Sequence, residues 1–446
     1  MWIMDTRFSG KYVYHFTYFT NLEQIIKHGL LSTNNKEKQN LAHENIANND
    51  IQHRRSEMRV PCGPGGVVHD YVPFYFTKRS PMLLNVIKNK NIDQEGIIYL
   101  AVPIEVVEKS SVVFTSFSAN TLTPPDFYSD PADLKELNWD IITRQIWVPK
   151  PDSLKQQKMA ELLIHNRVLI SDISYIVVWD AEIKQCVSNL LTNNGLHHLE
   201  VRDDWRSFDD HYFHDLNVAG KINIVSGPII LLKETQSTIK FIKENKPSHP
   251  SYENLNDALN AINHDFDCIK ELSDINGLET DNTVHREDVG THTRSVVSLL
   301  KMEHEYEILS ERERQVITLA AYFHDIGKGP KTRWPNQIQK VDDTHPIKSL
   351  PMLKRILCNE IGGLSNKEIR QIVTLVVYDD LVGDIIFCGR NEDQMKNIIK
   401  IKSDVDMLIL IAKCDINSIF PGRVDCHKVQ IEELRARMYN HLEETI

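Results

Sequence analysis

The pattern of apolar residues changes along this chain, and that change constrains the fold more than any other feature. Through about the first 210 residues, short runs rich in aromatic and β-branched residues alternate with turn signals, which is typical of strands with intervening helices. Beyond about residue 282, apolar residues recur at the spacing of a buried helical face. The sequence therefore predicts an α+β chain, with an N-terminal mixed α/β domain built on a central sheet and an all-α domain after it.

Five runs in the first part carry the strand predictions. They are residues 12–16, 71–76, 97–102, 112–117 and 173–179. After the first run, Thr20-Asn-Leu-Glu23 has the spacing of a capping box and Gly29 is a helix stop, so we expect a helix between them. His15 then falls at the end of the first strand.

Helices are predicted over residues 315–323, 369–377 and 408–416 in the second part. The intervening region has weaker signals and contains a polar stretch punctuated by proline at 243–250. A chain of 446 residues suits two or three domains. We divide it into a domain at 1–210, a connector with some helix at 211–281, and a helical domain at 282–446.

Composition excludes several classes of protein. The formal net charge is −11, and residues 1–220 carry 22 basic against 27 acidic side chains, so nucleic-acid binding requires a local groove. Seven scattered cysteines without a C-x-x-C pair argue for a reducing compartment and against a cysteine zinc site. Apolar runs are too short to span a bilayer, and the N-terminus lacks a signal-peptide pattern. We expect a cytoplasmic protein without membrane association.

Three groups of polar residues stand out in the first part: His15 with Thr17 and Asn21, the pair Arg54 and Arg55, and Glu161. None of these groups is specific alone. A histidine on a strand is more often structural than catalytic, and an arginine pair is usually a solvated surface. Whether these residues are functional or structural depends on the surrounding sequence.

That surrounding sequence resembles the DarT family of DNA ADP-ribosyltransferases over about residues 10–210. The segments that carry the resemblance are Tyr14-His-Phe-Thr with Asn21-Leu and Gly29-Leu, Gly63-Pro-Gly-Gly66 with Val72-Pro-Phe-Tyr-Phe-Thr-Lys-Arg-Ser-Pro-Met82, Ala160-Glu-Leu-Leu-Ile-His-Asn-Arg-Val168, and Val201-Arg-Asp-Asp-Trp205. They occur in order and at suitable spacing. The resemblance implies an ADP-ribosyltransferase domain at residues 1–210 that uses NAD as its ADP-ribose donor.

The resemblance also implies roles for residues. Glu161 is the catalytic carboxylate, His15, Thr17, Asn21 and Leu30 bind NAD, and Arg54 or Arg55 binds a phosphate, with the choice between the two open. A carboxylate suits this chemistry, because cleavage of the ribose–nicotinamide bond passes through an oxocarbenium-like state. There is no G-x-G-x-x-G fingerprint, which argues against a Rossmann dehydrogenase.

The implied acceptor is a base in single-stranded DNA, most often thymidine, although RNA stays open. The segment that reads it matches residues 118–150, which hold Phe127, Tyr128, Trp139 and Trp147. Aromatic side chains there suit base stacking, and a core position is an equal alternative for each one. A groove with Arg54, Arg55, Lys78 and Arg79 is the expected contact for the DNA backbone.

The second part resembles the HD phosphohydrolase superfamily. The segments are Gly290-Thr-His292-Thr, Tyr322-Phe-His-Asp-Ile-Gly-Lys328 and Ile411-Ala-Lys-Cys-Asp415. The resemblance implies a divalent metal held by His292, His324, Asp325 and Asp415. Imidazoles and carboxylates suit Mn, Mg, Fe, Ni or Zn, so the identity of the metal stays open.

The subtype of this HD domain is less defined. Lys331, Thr332 and His345 resemble the HD domain attached to tRNA nucleotidyltransferases, and His345 is an extra ligand, a phosphate contact or an ordinary loop histidine. Tyr378-Asp379-Asp380 stands where two-metal members have a further histidine. The sequence therefore favours a single metal.

Together these resemblances predict a bifunctional enzyme, with ADP-ribosyl transfer to single-stranded DNA and hydrolysis of a phosphoester by the HD domain. DNA modification suggests a toxin–antitoxin or phage-defence setting, with an antitoxin as a further partner. One alternative is a metal-dependent HD nucleotide or phosphodiester hydrolase whose N-terminal half only binds NAD or nucleic acid. Another is an HD domain that regulates the transferase without turning over a substrate.

Overall fold

The structure is a computed structural model that describes residues 5–41, 49–203, 225, 227–281, 287–340 and 342–444. Over these residues the chain forms two compact units, one built mainly from residues before 204 and the other from residues after 224. The predicted boundary at residue 210 lies outside the described residues, and so do Asp204 and Trp205 of the last DarT-like segment.

Strands and helices alternate in the first unit, as the aromatic and β-branched runs predict. Its described strands are β1 (Tyr12–Tyr18), β2 (Leu30–Leu31), β3 (Tyr71–Tyr75), β4 (Ile97–Pro103), β5 (Val112–Thr115), β6 (Phe127–Tyr128), β7 (Glu161–His165), β8 (Arg167–Val168), β9 (Tyr175–Val177) and β10 (Glu200–Arg202). Its described helices are α1 (Leu22–His28), α2 (Thr33–Lys38), α3 (Asn49–Glu57), α4 (Pro81–Lys88), α5 (Trp139–Thr143), α6 (Asp152–Lys158) and α7 (Ala181–Asn193).

Eight of these strands form a mixed sheet in the order β10-β9-β4-β1-β3-β7-β5-β6, and β2 pairs with β8. The pair β9 and β10 is parallel, whereas β1, β3 and β7 run antiparallel to their neighbours. The register sets Tyr14 opposite Tyr75 and Tyr75 opposite Glu161. Side chains directly opposite each other point to one face, so these three form a row across the sheet.

Apolar side chains cover both faces of this sheet. On one face Val13, Phe74 and Leu162 belong to the larger hydrophobic core. On the other face Val113 and Leu163 belong to a second, smaller core. Leu162 and Leu163 are consecutive on β7, and successive strand residues point to opposite faces. The strand that carries Glu161 is therefore fixed from both sides.

The second unit is helical, which confirms the prediction for the C-terminal part. Its described helices are α8 (Pro228–Glu244), α9 (Leu255–His264), α10 (Lys270–Ile275), α11 (Val289–Met302), α12 (His304–Ile308), α13 (Glu311–Phe323), α14 (His345–Asn359), α15 (Asn366–Val377), α16 (Leu381–Cys388), α17 (Asp393–Ile398), α18 (Lys402–Ile419) and α19 (Lys428–Glu444). One short parallel pair, β11 (Glu279–Thr280) with β12 (Ile338–Gln339), adds to the helices. Within the described part of the chain, no helix combines the length and the apolar character needed to cross a bilayer.

A single hydrophobic core joins the helices of this unit. Leu231 of α8, Leu259 of α9 and Leu272 of α10 are buried in the same cluster as Leu319 of α13 and Leu408 of α18. The first three helices fall within the stretch 211–281, for which the sequence predicts a connector with some helix. Their apolar faces are part of the core of the helical unit.

Two local predictions in the first unit differ from the structure. The strand that begins at Tyr12 runs to Tyr18, so His15 lies in the middle of β1 and not at its end. The capping box is wrong: a 3-10 turn takes up residues 19–21, the helix begins at Leu22, and the N-cap Asn21 makes no side-chain capping bond. Because β1 extends to Tyr18 and the turn follows it, the helix starts after Thr20. Gly29 ends the helix with a φ of 79°, as predicted.

A buried lysine connects two elements of the first unit close to Glu161. Lys158 is the last residue of α6, and its ammonium donates to the backbone carbonyls of Ile141, Ile142 and Arg144 at 3.3, 3.2 and 2.7 Å. These carbonyls lie at the C-terminal end of α5, where intrahelical partners are missing. Lys158 therefore fixes the end of α5 to the chain three residues before Glu161.

Replacing Lys158 with methionine is expected to lower the free energy of unfolding by about 2–3 kcal/mol, because buried carbonyls lose their donor. Urea unfolding followed by tryptophan fluorescence measures the effect, since five of the six tryptophans lie in residues 1–205. Lys155→Met, on the same helix, serves as the control and should change stability by less than about 0.5 kcal/mol. Equal stability of the two variants would show that the three hydrogen bonds contribute nothing.

Candidate active site and metal centre

Glu161 is the most deeply buried ionisable group of the first unit's predicted site. It is the first residue of β7 and none of its surface is exposed. Both carboxylate oxygens accept from Nη1 of Arg55 at 2.9 Å. A buried carboxylate is costly unless it is paired and hydrogen-bonded, and Arg55 supplies both the pairing and the hydrogen bonds.

A second set of donors reaches the same carboxylate from the segment that follows β5. The backbone N–H of Ala119 donates to Oε1 at 2.9 Å, and Oγ of Ser118 donates to that oxygen at 3.4 Å. Thr115 accepts from the backbone N–H of Glu161 at 3.1 Å. The sequence did not single out Ser118 or Thr115, and the Ala119 contact leaves no signal in the sequence because it is made by a backbone N–H.

The structure distinguishes the two arginines that the sequence leaves open. Both lie on α3, where consecutive side chains point about 100° apart. Arg55 is buried against Glu161 with 7 % of its surface exposed, whereas Arg54 is exposed to solvent. The structure thus brings together Arg55 and Glu161, and it leaves Arg54 outside this contact.

His15 is held in one defined orientation on β1. Its Nδ1 lies 2.8 Å from the backbone carbonyl of Pro73, and a carbonyl only accepts, so Nδ1 carries the hydrogen. Burial lowers the pKa of His15 to about 4. The ring is therefore neutral near pH 7, and its Nε2 has a lone pair that can accept a hydrogen bond.

The other residues predicted to bind NAD follow His15 closely. Thr17 lies two residues further along β1 and so points to the same side of the strand. Asn21 donates from its side-chain amide to Oγ1 of Thr17 at 3.0 Å. Leu30 differs, because its side chain is buried in the hydrophobic core and offers no polar group.

Aromatic residues of segment 118–150 mostly pack inside the unit. Trp139 stacks on Phe8 at a centroid distance of 4.8 Å and donates from Nε1 to the carbonyl of Leu134. Tyr128 stacks on Phe114 at 5.3 Å, and Trp147 is buried. Phe127 is partly buried beside the smaller core. The exposed large apolar residues of the segment are instead Leu122, Ile146 and Val148.

The expected basic groove is largely buried. Lys78 and Arg79 each have less than a tenth of their surface exposed, and the ammonium of Lys78 lies 5.3 Å from the ring centroid of Tyr14. Arg55 is paired with Glu161. Among the four basic residues that the sequence singles out, only Arg54 is exposed to solvent.

In the second unit, the four predicted metal ligands come together from three places in the sequence. His292 lies on α11, His324 and Asp325 follow α13, and Asp415 lies on α18. Nε2 of His292 is 2.9 Å from Oδ1 of Asp415, 3.4 Å from Nε2 of His324 and 3.7 Å from Oδ2 of Asp325. Nε2 of His324 is 3.4 Å from Oδ2 of Asp325.

Hydrogen bonds behind the two histidines fix their tautomers. Nδ1 of His324 donates to the carbonyl of Ala321 at 2.8 Å. Nδ1 of His292 lies 3.1 Å from Oγ of Ser418, which donates its own hydrogen to the carbonyl of Asp415 and so accepts from the ring. With Nδ1 held in this way, Nε2 is the nitrogen of each ring that faces the cluster, as in ligating histidines.

This arrangement fits a divalent metal ion. Ligand atoms about 2.1 Å from a metal lie about 3.0 Å apart in octahedral and about 3.4 Å apart in tetrahedral geometry. Burial alone would lower the pKa of His324, yet Asp325 and Asp415 outweigh it and raise that pKa to about 10. The raised pKa reflects the negative charge of the two carboxylates, and a divalent cation held between the four residues would offset the same charge.

Three residues near this cluster have contacts that the metal prediction did not include. Lys328 places its ammonium 2.7 Å from both carboxylate oxygens of Asp325. Asp379 and His345 form a group with Asp325 whose ligand atoms all lie within 4.8 Å of one another. From the sequence alone the role of His345 stays open, and Asp379 stands where two-metal members of the superfamily have a histidine.

The two sites support different chemistry. The first combines a buried carboxylate with an arginine and oriented N–H donors, which suits stabilisation of a developing positive charge and acceptance of a proton. The second combines imidazole and carboxylate ligands, which suits a metal that polarises a phosphoester.

Two family models match this chain. The model described as "ssDNA thymidine ADP-ribosyltransferase, DarT" matches residues 14–207, and the HD domain model matches residues 289–379. The first match contains Glu161 and Arg55. The second contains His292, His324 and Asp325, and Asp415 lies beyond its end.

Several relatives are named DNA ADP-ribosyl transferase. The protein of Thermus sp. (strain 2.9) is 32 % identical over 183 residues, which cover 40 % of this chain and 86 % of the relative. That of Thermus aquaticus is 31 % identical over 201 residues, covering 43 % and 87 %. That of Escherichia coli O127:H6 is 29 % identical over 169 residues, covering 36 % and 78 %.

Solved structures of the Thermus sp. 2.9 protein also resemble this chain. DarT in complex with ADP-ribosylated ssDNA has 31 % identity and a TM-score of 0.41, covering 46 % of this chain and 99 % of that one. DarT in complex with NAD+ has 28 % identity and a TM-score of 0.37, covering 44 % and 96 %. On the family model and the sequence identity to the Thermus relatives, the chain belongs to the DarT family of DNA ADP-ribosyltransferases, with an HD domain in its C-terminal part.

Proposed function

We propose that the first unit, in domain 1–210, transfers ADP-ribose from NAD to thymidine in single-stranded DNA. The observation that carries the proposal is the fully buried carboxylate of Glu161, held by Arg55 and by the N–H of Ala119. Membership of a family whose model is described by this activity supports the same conclusion. We assign His15, Thr17 and Asn21 to binding NAD, with Leu30 contributing at most its backbone.

In this proposal the bond between C1 of the ribose and the nicotinamide nitrogen breaks, and nicotinamide leaves. A ring nitrogen of the base then forms a bond to C1. Glu161 stabilises the positive charge that develops on the ribose and accepts the proton that the base nitrogen loses. Arg55 orients Glu161, and Nε2 of His15 accepts a hydrogen bond from a ribose hydroxyl.

Segment 118–150 is the proposed surface for the acceptor DNA. It contains Ser118 and Ala119, which contact Glu161 directly. Leu122 and Ile146 are 89 % and 46 % exposed, so they are better placed than the packed Trp139 to contact an unstacked base. Arg54 is the proposed contact for the DNA backbone.

We propose further that the helical unit is a metal-dependent phosphohydrolase, with His292, His324, Asp325 and Asp415 as ligands. When bound, the ion supplies Lewis-acid activation of a phosphoester. The cluster of ligand atoms in a buried, negatively charged site supports this reading over a helix end that carries polar residues by chance. The same cluster of ligand atoms also supports the alternative in which hydrolysis is the main activity of the chain.

The proposed setting is a toxin–antitoxin or phage-defence system in the cytoplasm, because DNA modification harms the cell that makes the enzyme. An antitoxin is the expected partner, and the HD domain is a candidate for restraining the transferase. All seven cysteines are free, which fits a reducing compartment.

Changing Glu161 to glutamine is expected to lower ADP-ribosyl transfer at least about 100-fold, because the amide neither stabilises positive charge nor accepts a proton. Mass spectrometry of single-stranded DNA and RNA oligonucleotides of varied base composition, incubated with protein and NAD, detects the gain of one ADP-ribose unit. The same measurement identifies the acceptor base.

Glu182→Gln is the matched control, since Glu182 is exposed on α7. It should retain full activity. Transfer by Glu161→Gln at the wild-type rate, in a variant with a normal melting temperature, contradicts the catalytic role of this carboxylate.

Replacing Arg55 with alanine is expected to lower transfer at least about tenfold and to destabilise the first unit, because Glu161 loses its buried partner. Arg55→Lys keeps the charge but offers a single ammonium, so it should fold well and still transfer slowly. Rates are measured by nicotinamide release with DNA present.

Arg54→Ala is the internal comparison for this pair. It should leave the melting temperature unchanged and affect transfer mainly through the KM for DNA. Equal effects on nicotinamide release in the Arg54 and Arg55 variants would contradict the distinction between them.

Chelation separates the two proposed activities. Dialysis against EDTA is expected to lower hydrolysis of bis(p-nitrophenyl) phosphate about 100-fold while ADP-ribosyl transfer stays within about twofold, because only the helical unit has the metal ligands assigned here. Asp325→Asn should reproduce the loss without EDTA. If untreated protein with added Mn²⁺ hydrolyses no phosphodiester or nucleotide, the hydrolase proposal fails and the regulatory role remains.

A further inference from the structure

Lys36 is a partly buried lysine of the first unit that the site described above does not use. It lies on α2. Within the part of the chain that the structure describes, its ammonium makes no hydrogen bond and no ion pair. Burial lowers the pKa of this ammonium, and the neighbouring Glu37 offsets the effect only in part. A charge that is partly removed from water without a partner is costly, which indicates that an anion binds here.

The helix that carries Lys36 is fixed to the ends of two strands. The side-chain amide of Asn34 donates to Oδ1 of Asp70 at 2.7 Å, and that of Asn35 donates to the backbone carbonyl of Asn166 at 3.2 Å. Asp70 directly precedes β3, and Asn166 lies between β7 and β8. Since β3 and β7 are antiparallel, these two anchors lie at the same end of the strand pair.

This position relates Lys36 to the predicted catalytic carboxylate. Glu161 begins β7 and Asn166 follows its last residue, which places them about 15 Å apart along the strand. The ammonium of Lys36 acts on two histidines between these ends. Burial is the main cause of the lowered pKa of His15 and of His69, and the positive charge of Lys36 adds to it in both cases. Lys36 therefore lies close to the part of β1 that is assigned to NAD.

The negative charge of NAD needs a cation that the other basic residues near the site do not offer. The pyrophosphate carries two negative charges. Arg55 is paired with the catalytic carboxylate, and the ammonium of Lys158 donates to three backbone carbonyls. Lys78 and Arg79 are buried. Lys36 differs from these four residues, because it is partly exposed and its charge is uncompensated.

We propose that Lys36 binds the pyrophosphate of NAD in the first unit. The proposal rests on the proposed transferase function and adds a substrate-binding residue to it. An ammonium donates charge-assisted hydrogen bonds to phosphate oxygens and suits them as a point charge. The dinucleotide then extends from the ribose beside Glu161 toward α2, along the direction of β7. Lys36 makes and breaks no bond, so its contribution is to the affinity for NAD.

The test measures nicotinamide release by the full-length protein with single-stranded DNA present. Lys36→Met keeps the length of the side chain and removes its charge, so the KM for NAD should rise at least about tenfold while kcat stays within about threefold. The KM for DNA should stay within about twofold of wild type. Lys36→Arg keeps a positive charge and should restore most of the affinity for NAD.

Lys38→Met is the matched control, because Lys38 is exposed at the last position of the same helix. It removes the same charge and should leave the KM for NAD unchanged. Without ligand, Lys36→Met should melt at or above the wild-type temperature, since the change removes a charge that has no partner. ADP-ribose should raise the melting temperature of wild type more than that of Lys36→Met. If Lys36→Met does not fold, Lys36→Gln provides the same measurements.

The remaining outcomes each decide the inference. An unchanged KM for NAD in Lys36→Met, with an active wild type, overturns it and leaves the transferase function intact. A rise in the KM for DNA alone assigns Lys36 to a phosphate of the DNA backbone and also overturns it. An equal rise in the KM for NAD in Lys38→Met shows a general charge effect and contradicts a specific contact. A wild type that neither binds ADP-ribose nor releases nicotinamide overturns the proposed transferase function and this inference with it.

Discussion

Glu161 is fully buried, and the first unit is organised around the neutralisation of its charge. Taking a carboxylate out of water costs several kcal/mol, so the fold must return that free energy through pairing and hydrogen bonds. Arg55 supplies the opposite charge, while Ala119 and Ser118 donate from the segment after β5. β7, α3 and segment 118–150 each contribute a group to the contacts around this one carboxylate.

The helical unit also buries carboxylates, but their charge is compensated differently. In the first unit the acceptors of Glu161 have donors, so the carboxylate is satisfied by the protein itself. Around Asp325 two imidazoles and neighbouring carboxylates converge beside the ammonium of Lys328, and among the described residues one atom each of His345 and Asp379 has no hydrogen-bond partner. Where protein donors already pair the carboxylate, as at Glu161, no cation is needed. Where carboxylate oxygens and imidazole nitrogens cluster, as around Asp325, the residues are suited to binding a cation.

Secondary-structure elements were predicted from the sequence more accurately than side-chain contacts. Runs such as 71–76 and 97–102 became strands because aromatic and β-branched side chains fit a sheet covered on both faces. The capping box failed because β1 continues past its predicted end, and strand length depends on the pairing of β1 with β4, which a local pattern does not contain. The choice of Arg55 over Arg54 depends on the rotation of a polar helix with no apolar stripe to orient it.

The four proposed metal ligands could be predicted from the sequence because their order and spacing carry the resemblance, and the structure brings them together. The position of Asp379 beside them was not predicted, because the sequence presents this residue as the loss of a histidine. Its place beside Asp325 and His345 is a property of three elements packed together, namely α14, α15 and the turn after α13.

Burial also changes the meaning of the negative net charge. A charge of −11 argues against nucleic-acid binding only if binding depends on the long-range field of the protein. Here Arg55 is committed to Glu161, and Lys78 and Arg79 are buried, so few of the basic groups near the site are free to attract DNA at a distance. In the proposed function, recognition of a strand depends on short-range contacts from segment 118–150, where exposed apolar side chains would meet an unstacked base. An acidic protein can therefore select a base in DNA, because the contacts that discriminate between bases act over a few ångströms and not through net charge.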